Sequence, residues 1–404
     1  MEKVPFLSLA RNQAALLKAH LNISIWFKHR PEAGLLPLLA LLLFACRPAN
    51  PAAAPGVTTP PGQPVAAAPA TLTPQPAATN QPAVTNQPAV TPTNVSPTLT
   101  YTPAASPTFT PEPDPFASYR IDALAERTFG GGQLEQVETL AVNGYFTRTL
   151  FRYPSDGLDI YGFMNVPVSG SSPFPVIIAL HGYIDPAIYD TIDYTTRYAD
   201  ALARAGFLVL HPNLRGYPPS DQGENLFRVG MAIDVLNLIA LVKEQSGQPG
   251  PLELADPAAI GLWGHSMGGG ITTRVITVSP DVRAAVLYGA MSGDEQKNFE
   301  RIFHYFSNGQ RGQEELNAPP AVFQGISPIF FLDRVDAAIS IHHGKLDADV
   351  PLAWSLDLCD RLYKLGKAVE CFTYPDQPHT FHNDGDELFM QRMIDFFNRQ
   401  LKSQ

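Results

Sequence analysis

The sequence predicts an α/β domain in which a mostly parallel central sheet carries helices on both faces, with a short lid insertion. Two observations predict it. Short unbroken apolar runs, typical of strands buried on both faces, alternate along the chain with amphipathic helical segments. Strands separated by helices imply right-handed crossovers and therefore a parallel sheet. Ligands of such sheets bind beyond the carboxyl ends of the strands, so we expect chemically important residues directly after a strand.

The folded region is predicted to begin with a β-hairpin. Pro154-Ser155-Asp156-Gly157 is a turn sequence between two alternating runs, 145–151 and 158–164. The apolar run 175–180 predicts the first buried strand, and the helix after it is expected to end at Gly206. Further strands are predicted at 207–210, 259–263, 283–287, 337–341 and 369–374, and further helices at 231–243, from 267, 352–365 and 387–401.

Composition divides the 404 residues into unlike regions. The stretch 47–118 holds 18 of the 39 prolines but only three charged residues, so it cannot bury enough apolar surface to fold. We expect a disordered Pro/Thr/Ala-rich tether over 46–118 and one folded domain over 119–404. The net charge of −10 and the absence of a Lys/Arg cluster argue against nucleic-acid binding.

Residues 1–45 have the pattern of a lipoprotein signal peptide. The basic run Lys28-His29-Arg30 precedes an apolar segment of about 11 residues, which is too short to cross a ~30 Å hydrocarbon core as a helix. The segment ends in Leu43-Phe44-Ala45-Cys46, which resembles a bacterial lipobox. This resemblance implies that Cys46 is lipidated after export and holds the protein at the outer face of the cytoplasmic membrane or in the envelope.

A Gly-x-Ser-x-Gly motif lies directly after a predicted strand and begins a predicted helix, with Ser266 at its centre. A strand that turns at once into a helix strains the serine backbone and leaves no space for side chains beside it, which favours glycine at Gly264 and Gly268. The Ser266 hydroxyl is then exposed above the sheet edge. A serine is a poor nucleophile unless a base takes its proton and a third group orients that base.

Candidates for both groups follow in the order Ser, Asp, His. Asp347 lies in the loop after one predicted strand and His379 in the loop after the next, at the same sheet edge as Ser266. Asp349 could orient the histidine in place of Asp347. Asp376, three residues before His379, is interpreted as a turn residue.

These residues stand within a longer series of motifs that resembles the α/β-hydrolase superfamily. The resemblance is specifically to the catalytic domain of the prolyl oligopeptidase type (S9) and its dienelactone-hydrolase-like relatives. The motifs that carry it are Tyr153-Pro154-Ser155-Asp156-Gly157, His181-Gly182-Tyr183, Arg215-Gly216, Gly264-His265-Ser266-Met267-Gly268, Ser327-Pro328, His343 to Pro351, and Tyr374 to His379.

The resemblance implies a role for each candidate. Ser266 is the expected nucleophile, His379 the general base and acid, and Asp347, favoured over Asp349 by the family spacing, the residue that orients His379. Backbone N–H groups of Tyr183 and Met267 are the expected oxyanion hole.

The implied activity is that of a serine hydrolase that forms an acyl-enzyme on small esters or short peptides, without a cofactor or metal. No β-propeller sequence precedes the catalytic region, and this favours a carboxylesterase over the alternative, a serine exopeptidase. A second alternative is a catalytically silent surface binding module.

Three further features leave alternatives open. His342, His343, His379 and His382 could suggest a metal site, but His342 and His343 point in opposite directions on a strand, which favours structural or loop roles. Cys359 and Cys371 form a disulfide or remain buried thiols. The excursion between 287 and 337 carries four aromatic residues that line a substrate pocket or form the buried face of lid helices: Phe299, Phe303, Tyr305 and Phe306.

Overall fold

A computed structural model describes residues 114–402 of the chain. The predicted signal peptide 1–45, Cys46 and the tether up to residue 113 lie outside these residues. Within them nine strands form one sheet: β1 (Glu135–Val142), β2 (Phe146–Ser155), β3 (Leu158–Pro167), β4 (Phe174–Leu180), β5 (Leu208–Pro212), β6 (Ala255–His265), β7 (Val282–Tyr288), β8 (Ala338–Gly344) and β9 (Val369–Tyr374).

The strand order is β1-β2-β3-β5-β4-β6-β7-β8-β9. The pairs β1–β2, β2–β3 and β3–β5 are antiparallel, and every later pair is parallel. Parallel strands with helical crossovers are buried on both faces, and every residue of β4, β5 and β8 is accordingly buried. The predicted mostly parallel sheet is confirmed.

Helices cover both faces of this sheet. They are α1 (Ile121–Glu126), α2 (Thr196–Arg204), α3 (Val229–Gln245), α4 (Met267–Val278), α5 (Glu295–Arg301), α6 (Gln313–Leu316), α7 (Pro320–Ile326), α8 (Leu352–Lys364) and α9 (Asn383–Leu401). Buried side chains of α2 and α9 form one core cluster with the sheet, and those of α1, α3, α4 and α8 form the other. The segment from α5 to α7, which includes a π-helical turn at Ile302–Phe306, is the insertion between β7 and β8.

Two parts of the predicted layout differ from the structure. Strand β1 was not expected from the sequence, because its residues are mostly exposed and show no alternation of buried and exposed positions. Residues 114–118, assigned to the end of the tether, are part of the described chain. The Phe116 ring contacts the Phe227 ring edge-on at 6.0 Å between centroids, which attaches this segment to the core.

A buried ion pair fixes the loop after β5. The Arg215 guanidinium donates to the Asp234 carboxylate on α3 at 2.7 Å, and the Ser155 hydroxyl at the end of β2 donates to the same carboxylate at 2.7 Å. The Tyr153 hydroxyl donates to the Asp234 carbonyl at 3.0 Å. Two motifs that are far apart in the sequence therefore meet at one residue of α3, which holds the hairpin, the β5 loop and α3 together.

Cys359 on α8 and Cys371 on β9 form a disulfide, with their Cα atoms 6.5 Å apart. The two cysteines are therefore bonded to each other and are not the two buried thiols that the sequence leaves open as the alternative. No helix within residues 114–402 has both the length and the apolar character needed to span a bilayer.

Candidate active site

Ser266 occupies the single residue between β6 and α4. Its backbone has φ 54° and ψ −115°, which is the strained turn that the motif predicts. A Cβ atom on Gly264 would lie 2.4 Å from the Gly268 carbonyl oxygen, and one on Gly268 would lie 2.3 Å from the Leu180 carbonyl oxygen. Glycine is therefore required on both sides of Ser266, because the turn packs directly against backbone atoms.

Asp347 lies in the loop after β8, and its side chain is completely buried. One carboxylate oxygen, Oδ2, accepts from His379 Nδ1 at 2.8 Å and lies 3.1 Å from His343 Nε2, which donates to the Val350 carbonyl at 3.0 Å. The other, Oδ1, accepts the backbone N–H groups of Asp349 and Val350 at 2.9 and 2.8 Å. Both carboxylate oxygens thus accept hydrogen bonds, and the carboxylate has one fixed orientation.

These contacts determine the ionisation of Asp347. Burial raises the pKa of the carboxyl group, but the contacts with His343, His379 and the backbone favour its charged form and outweigh burial. The net result is a pKa well below the ordinary value of an aspartate. Asp347 is therefore a carboxylate throughout the neutral pH range.

His379 lies in the loop after β9, with its ring between Asp347 and Gly289. Gly289 follows β7 with φ +48°, and a Cβ atom there would lie 3.2 Å from His379 Nδ1 and 3.4 Å from Asp347 Oδ2. Gly289 belongs to none of the motifs that are visible in the sequence. The left-handed backbone and the lack of a side chain leave room for the hydrogen bond between His379 and Asp347.

His265, the residue before Ser266, is a second residue that sequence reasoning missed. Its Nε2 is 3.0 Å from the His379 carbonyl oxygen, so this nitrogen carries the proton, and its ring lies 4.6 Å from the His379 ring between centroids. Burial, together with the positive charge that His379 can carry, lowers the pKa of His265 to about 3. The imidazole is therefore neutral, and it supports the backbone of His379.

His342 and His343 face opposite sides of β8, as the sequence predicts. His343 contacts Asp347 and also lies 2.7 Å from the Ser355 hydroxyl, whereas His342 lies between the Ser340 and Tyr374 hydroxyls. Across residues 114–402 no group of His, Cys, Asp and Glu side chains is arranged to hold a metal ion.

The remaining acidic candidates take no part in the contact to His379. Asp349 binds through its backbone: its N–H donates to Asp347, and its carbonyl accepts from Arg301 at 2.9 Å. Asp376 is exposed in a turn after β9. The contact to His379 therefore comes from Asp347.

Ser266 and His379 both face a cavity of about 520 Å³ beyond the carboxyl ends of the strands. The predicted oxyanion residues Tyr183 and Met267 line the same cavity. Met267 is the first residue of α4, so its N–H has no acceptor one turn earlier in the helix. A hydroxyl, an imidazole, a buried carboxylate and free backbone donors are the groups that acyl transfer requires.

Aromatic and aliphatic side chains form most of the cavity wall. Of the four aromatic residues expected over the pocket, Phe299 and Phe306 line it, while Phe303 and Tyr305 are not among the lining residues. The other large apolar residues of the wall are Tyr217, Met231, Met291 and Ile302. The α5 to α7 insertion therefore supplies part of the wall, and the site is suited to an apolar or aromatic substrate group.

The mostly parallel sheet, the strained serine between β6 and α4, and the aspartate and histidine after β8 and β9 define an α/β hydrolase by fold. A family model described as the prolyl oligopeptidase family matches residues 195–404, and the chain belongs to this family.

Individual relatives agree with this assignment. The uncharacterized peptidase YuxL of Bacillus subtilis (strain 168) is 22% identical over 233 residues, which are 57% of this chain and 35% of the relative. The Pyrococcus horikoshii acylaminoacyl peptidase structure has 25% identity and a TM-score of 0.53 over 64% of this chain and 42% of its own. The chain thus spans less than half the length of these two relatives.

A solved structure that this chain covers almost completely shares the fold. Acetyl xylan esterase 1 from Thermoanaerobacterium sp. JW/SL YS485 has 18% identity and a TM-score of 0.52 over 71% of this chain and 95% of its own.

The depressed pKa of Asp347 predicts a pH-dependent contribution to stability. The unfolded carboxyl has a pKa of ~3.9, so its native contacts stabilise the fold fully above that pH, and the stabilisation disappears as the pH falls toward the folded pKa. We expect Asp347→Asn to be less stable than wild type by at least about 1 kcal/mol at pH 7, with a smaller difference at pH 3. Urea unfolding followed by tryptophan fluorescence measures both values.

The exposed Asp376→Asn variant is the control and should match wild type at each pH. A difference between Asp347→Asn and wild type that stays constant from pH 7 to pH 3 would contradict the assignment of the depressed pKa.

Proposed function

We propose that the protein is a serine hydrolase in which Ser266 is the nucleophile, His379 the general base and acid, and Asp347 the residue that orients His379. The observation that carries the proposal is the 2.8 Å hydrogen bond between His379 Nδ1 and Asp347 Oδ2, at the cavity where the strained Ser266 lies. Orientation of an imidazole by a buried carboxylate next to a serine is the arrangement that activates the hydroxyl.

In the proposed reaction, the Asp347 carboxylate accepts a hydrogen bond from the Nδ1–H group of His379, which fixes the tautomer whose Nε2 is unprotonated and able to take the Ser266 proton. The Ser266 oxygen attacks the substrate carbonyl, and the tetrahedral intermediate collapses when His379 returns the proton to the leaving group. A water molecule then attacks the acyl-enzyme in the same way, with His379 again as base and then as acid, and the carboxylic acid product is released. Asp347 stays ionised and stabilises the imidazolium that forms twice per cycle.

The backbone N–H groups of Tyr183 and Met267 are the proposed donors to the oxyanion. Both residues line the cavity with Ser266, and Met267 has the unsatisfied N–H of a first helical turn. Each such donor increases the rate by a factor of about 10²–10³, because it stabilises negative charge that develops only in the transition state.

We propose small esters as the preferred substrates. The cavity of about 520 Å³ is in the range of small-molecule sites, and its wall is mostly apolar. Amide cleavage depends more strongly on binding energy from distant parts of a substrate, which a site of this size supplies poorly. The second candidate is a serine exopeptidase, and membership of the prolyl oligopeptidase family favours it.

We also propose that the protein is exported and anchored by lipid at Cys46. The apolar segment that ends in Leu43-Phe44-Ala45-Cys46 supports this location. A second observation supports export: Cys359 and Cys371 are joined in a disulfide, and disulfides form and persist mainly in oxidising compartments.

Variants of the three proposed catalytic residues test the mechanism. We expect Ser266→Ala and His379→Ala to lower kcat by about 10⁴–10⁶, and Asp347→Asn by about 10⁴, on p-nitrophenyl acetate. The double variant Ser266→Ala/His379→Ala should be no slower than Ser266→Ala, because the two groups act as a unit. Asp349→Asn is the matched control and should keep most of its activity. Full activity in Asp347→Asn together with an inactive Asp349→Asn would reverse the assignment.

The ester preference is tested by kcat/KM for p-nitrophenyl acetate and butyrate beside alanyl- and prolyl-p-nitroanilide. We expect the esters to react at least about tenfold faster, because the ester leaving group needs less protonation. Faster turnover of the anilides would favour the exopeptidase.

The lipid anchor predicts that Cys46→Ser releases the protein from the membrane fraction. A diacylglyceryl group places two chains in the bilayer at ~0.8 kcal/mol per buried CH₂, which is enough for stable attachment. Cell fractionation with mass spectrometry of the N-terminal peptide measures the result. Wild-type protein in the cytosol with residues 1–45 intact would contradict the anchor.

A further inference from the structure

A buried cluster beside the cavity holds two arginines and only one carboxylate. Glu295 on α5 accepts from Arg228 Nη2 at 2.7 Å through one oxygen and from Arg274 Nη2 at 2.7 Å through the other. The exposed fractions of the Arg228, Arg274 and Glu295 side chains are 10%, 1% and 3%. Two guanidinium groups on one carboxylate leave one positive charge uncompensated within the cluster, and a buried charge without a partner is costly.

The two arginines are not equivalent. Arg274 is satisfied within the protein, since it also donates to the carbonyl oxygens of Ile326 at 2.7 Å and Phe227 at 3.3 Å. Glu295 keeps Arg274 and the amide of Asn298, at 3.0 Å, as partners independently of Arg228. Glu295 therefore keeps a charged partner and a hydrogen-bond donor without Arg228. The positive charge of Arg228 is the one in the cluster that Glu295 does not need.

Arg228 is also the member of the cluster that lines the cavity. Its Nη1 donates to the sulfur of Met291 at 3.0 Å, and the Met291 N–H donates to the Ser266 carbonyl at 3.0 Å. Met291 thus contacts both the Arg228 guanidinium and the Ser266 backbone. A thioether is a weak acceptor, so most of the five N–H donors of Arg228 have no strong acceptor among residues 114–402.

The backbone that presents Arg228 is strained. Phe227 and Arg228 have φ values of 53° and 57°, two consecutive left-handed residues that are not glycine, directly before α3. Such conformations cost of order 1–3 kcal/mol each and persist where the surrounding structure enforces them, often at ligand sites. Here the strained pair directs a charged side chain toward the cavity and away from solvent.

Among residues 114–402, no other charged residue of the wall forms an ion pair with Arg228. Arg215 is paired with Asp234, and the Arg311 guanidinium is exposed over the Tyr183 ring at 4.4 Å. Glu315 and Asp349 also line the cavity, but neither forms an ion pair with an arginine of the described chain. Burial raises the pKa of Glu315, and the positive charge of Arg228 lowers it in part, so the two side chains attract each other without forming an ion pair.

We propose that Arg228 binds a carboxylate of the substrate and makes the enzyme selective for esters that carry one. This inference rests on the proposed function, because it names the substrate class of the same cavity. A carboxylate is planar and matches the guanidinium in size and hydrogen-bond spacing. It restores charge balance to the cluster when the substrate enters, while the apolar wall holds the rest of the molecule.

The carboxylate can belong to the acyl part or to the alcohol part of the ester, and two matched pairs distinguish them. Monomethyl glutarate and its amide analogue, methyl glutaramate, place the group on the acyl side. 4-Acetoxybenzoate and 4-acetoxybenzamide place it on the leaving group. Wild-type enzyme should hydrolyse one carboxylate ester with a kcat/KM roughly 10- to 100-fold above that of its amide, as expected for a buried charge-assisted hydrogen bond.

Arg228→Gln should remove this preference, so that the kcat/KM of the carboxylate ester falls to about that of its amide. Arg228→Lys keeps the charge without the planar fork and should retain part of the preference. Lys297→Gln is the matched control: it removes one positive charge from α5 outside the cavity wall and should leave the preference intact. Wild-type enzyme without a preference in either pair, or an unchanged preference in Arg228→Gln, would overturn the proposal.

A binding measurement separates this proposal from the catalytic one. Calorimetry with the Ser266→Ala protein and the four uncleaved esters reports on Arg228 without any turnover. Tighter binding of a carboxylate ester than of its amide, lost in Ser266→Ala/Arg228→Gln, supports the carboxylate site even if the proposed hydrolysis fails. Equal binding of both members of each pair overturns the site even if p-nitrophenyl acetate is hydrolysed.

Discussion

The geometry of the candidate site depends on one constraint, the turn of a single residue between β6 and α4. Ser266 holds φ 54° there because Gly264 and Gly268 allow the turn to pack on the backbone of its own helix and on the end of β4. The same turn is bonded to the next strand, since the Ser266 N–H donates to the Tyr288 carbonyl at 3.0 Å. Three neighbouring parallel strands therefore hold the serine in place, and a rigid sheet offers the precision that a surface loop does not.

The loops after β7, β8 and β9 are adapted to that position. Gly289 leaves room for the imidazole of His379, Asp347 receives three hydrogen bonds that fix its carboxylate, and His265 supports the His379 backbone from the residue next to Ser266. Each buried polar group in this arrangement has a partner of the correct type, apart from His265 Nδ1, which has none within the described chain. Satisfied polar contacts of this kind give a buried site one defined geometry.

The sequence predicted the parts of the fold whose signals are local. Strands such as β4 are visible as apolar runs, and the turn at Ser266 requires glycines that stand next to it in the chain. The exposed strand β1 lacks alternation, so only its pairing with β2 defines it. Residues that act through distant contacts were likewise missed or left open: Gly289 and Arg228 have no local signature, and the Cys359–Cys371 disulfide depends on how α8 packs on β9.

The identity of the residue that attacks the substrate is the central claim of this account. Treatment of the full-length protein with a fluorophosphonate, followed by digestion and mass spectrometry, locates the covalent adduct directly. If Ser266 is the nucleophile, one adduct forms, on Ser266, and no adduct forms in Ser266→Ala or in heat-unfolded protein. An adduct on another residue, or an unmodified Ser266 in protein that hydrolyses p-nitrophenyl acetate, would contradict it.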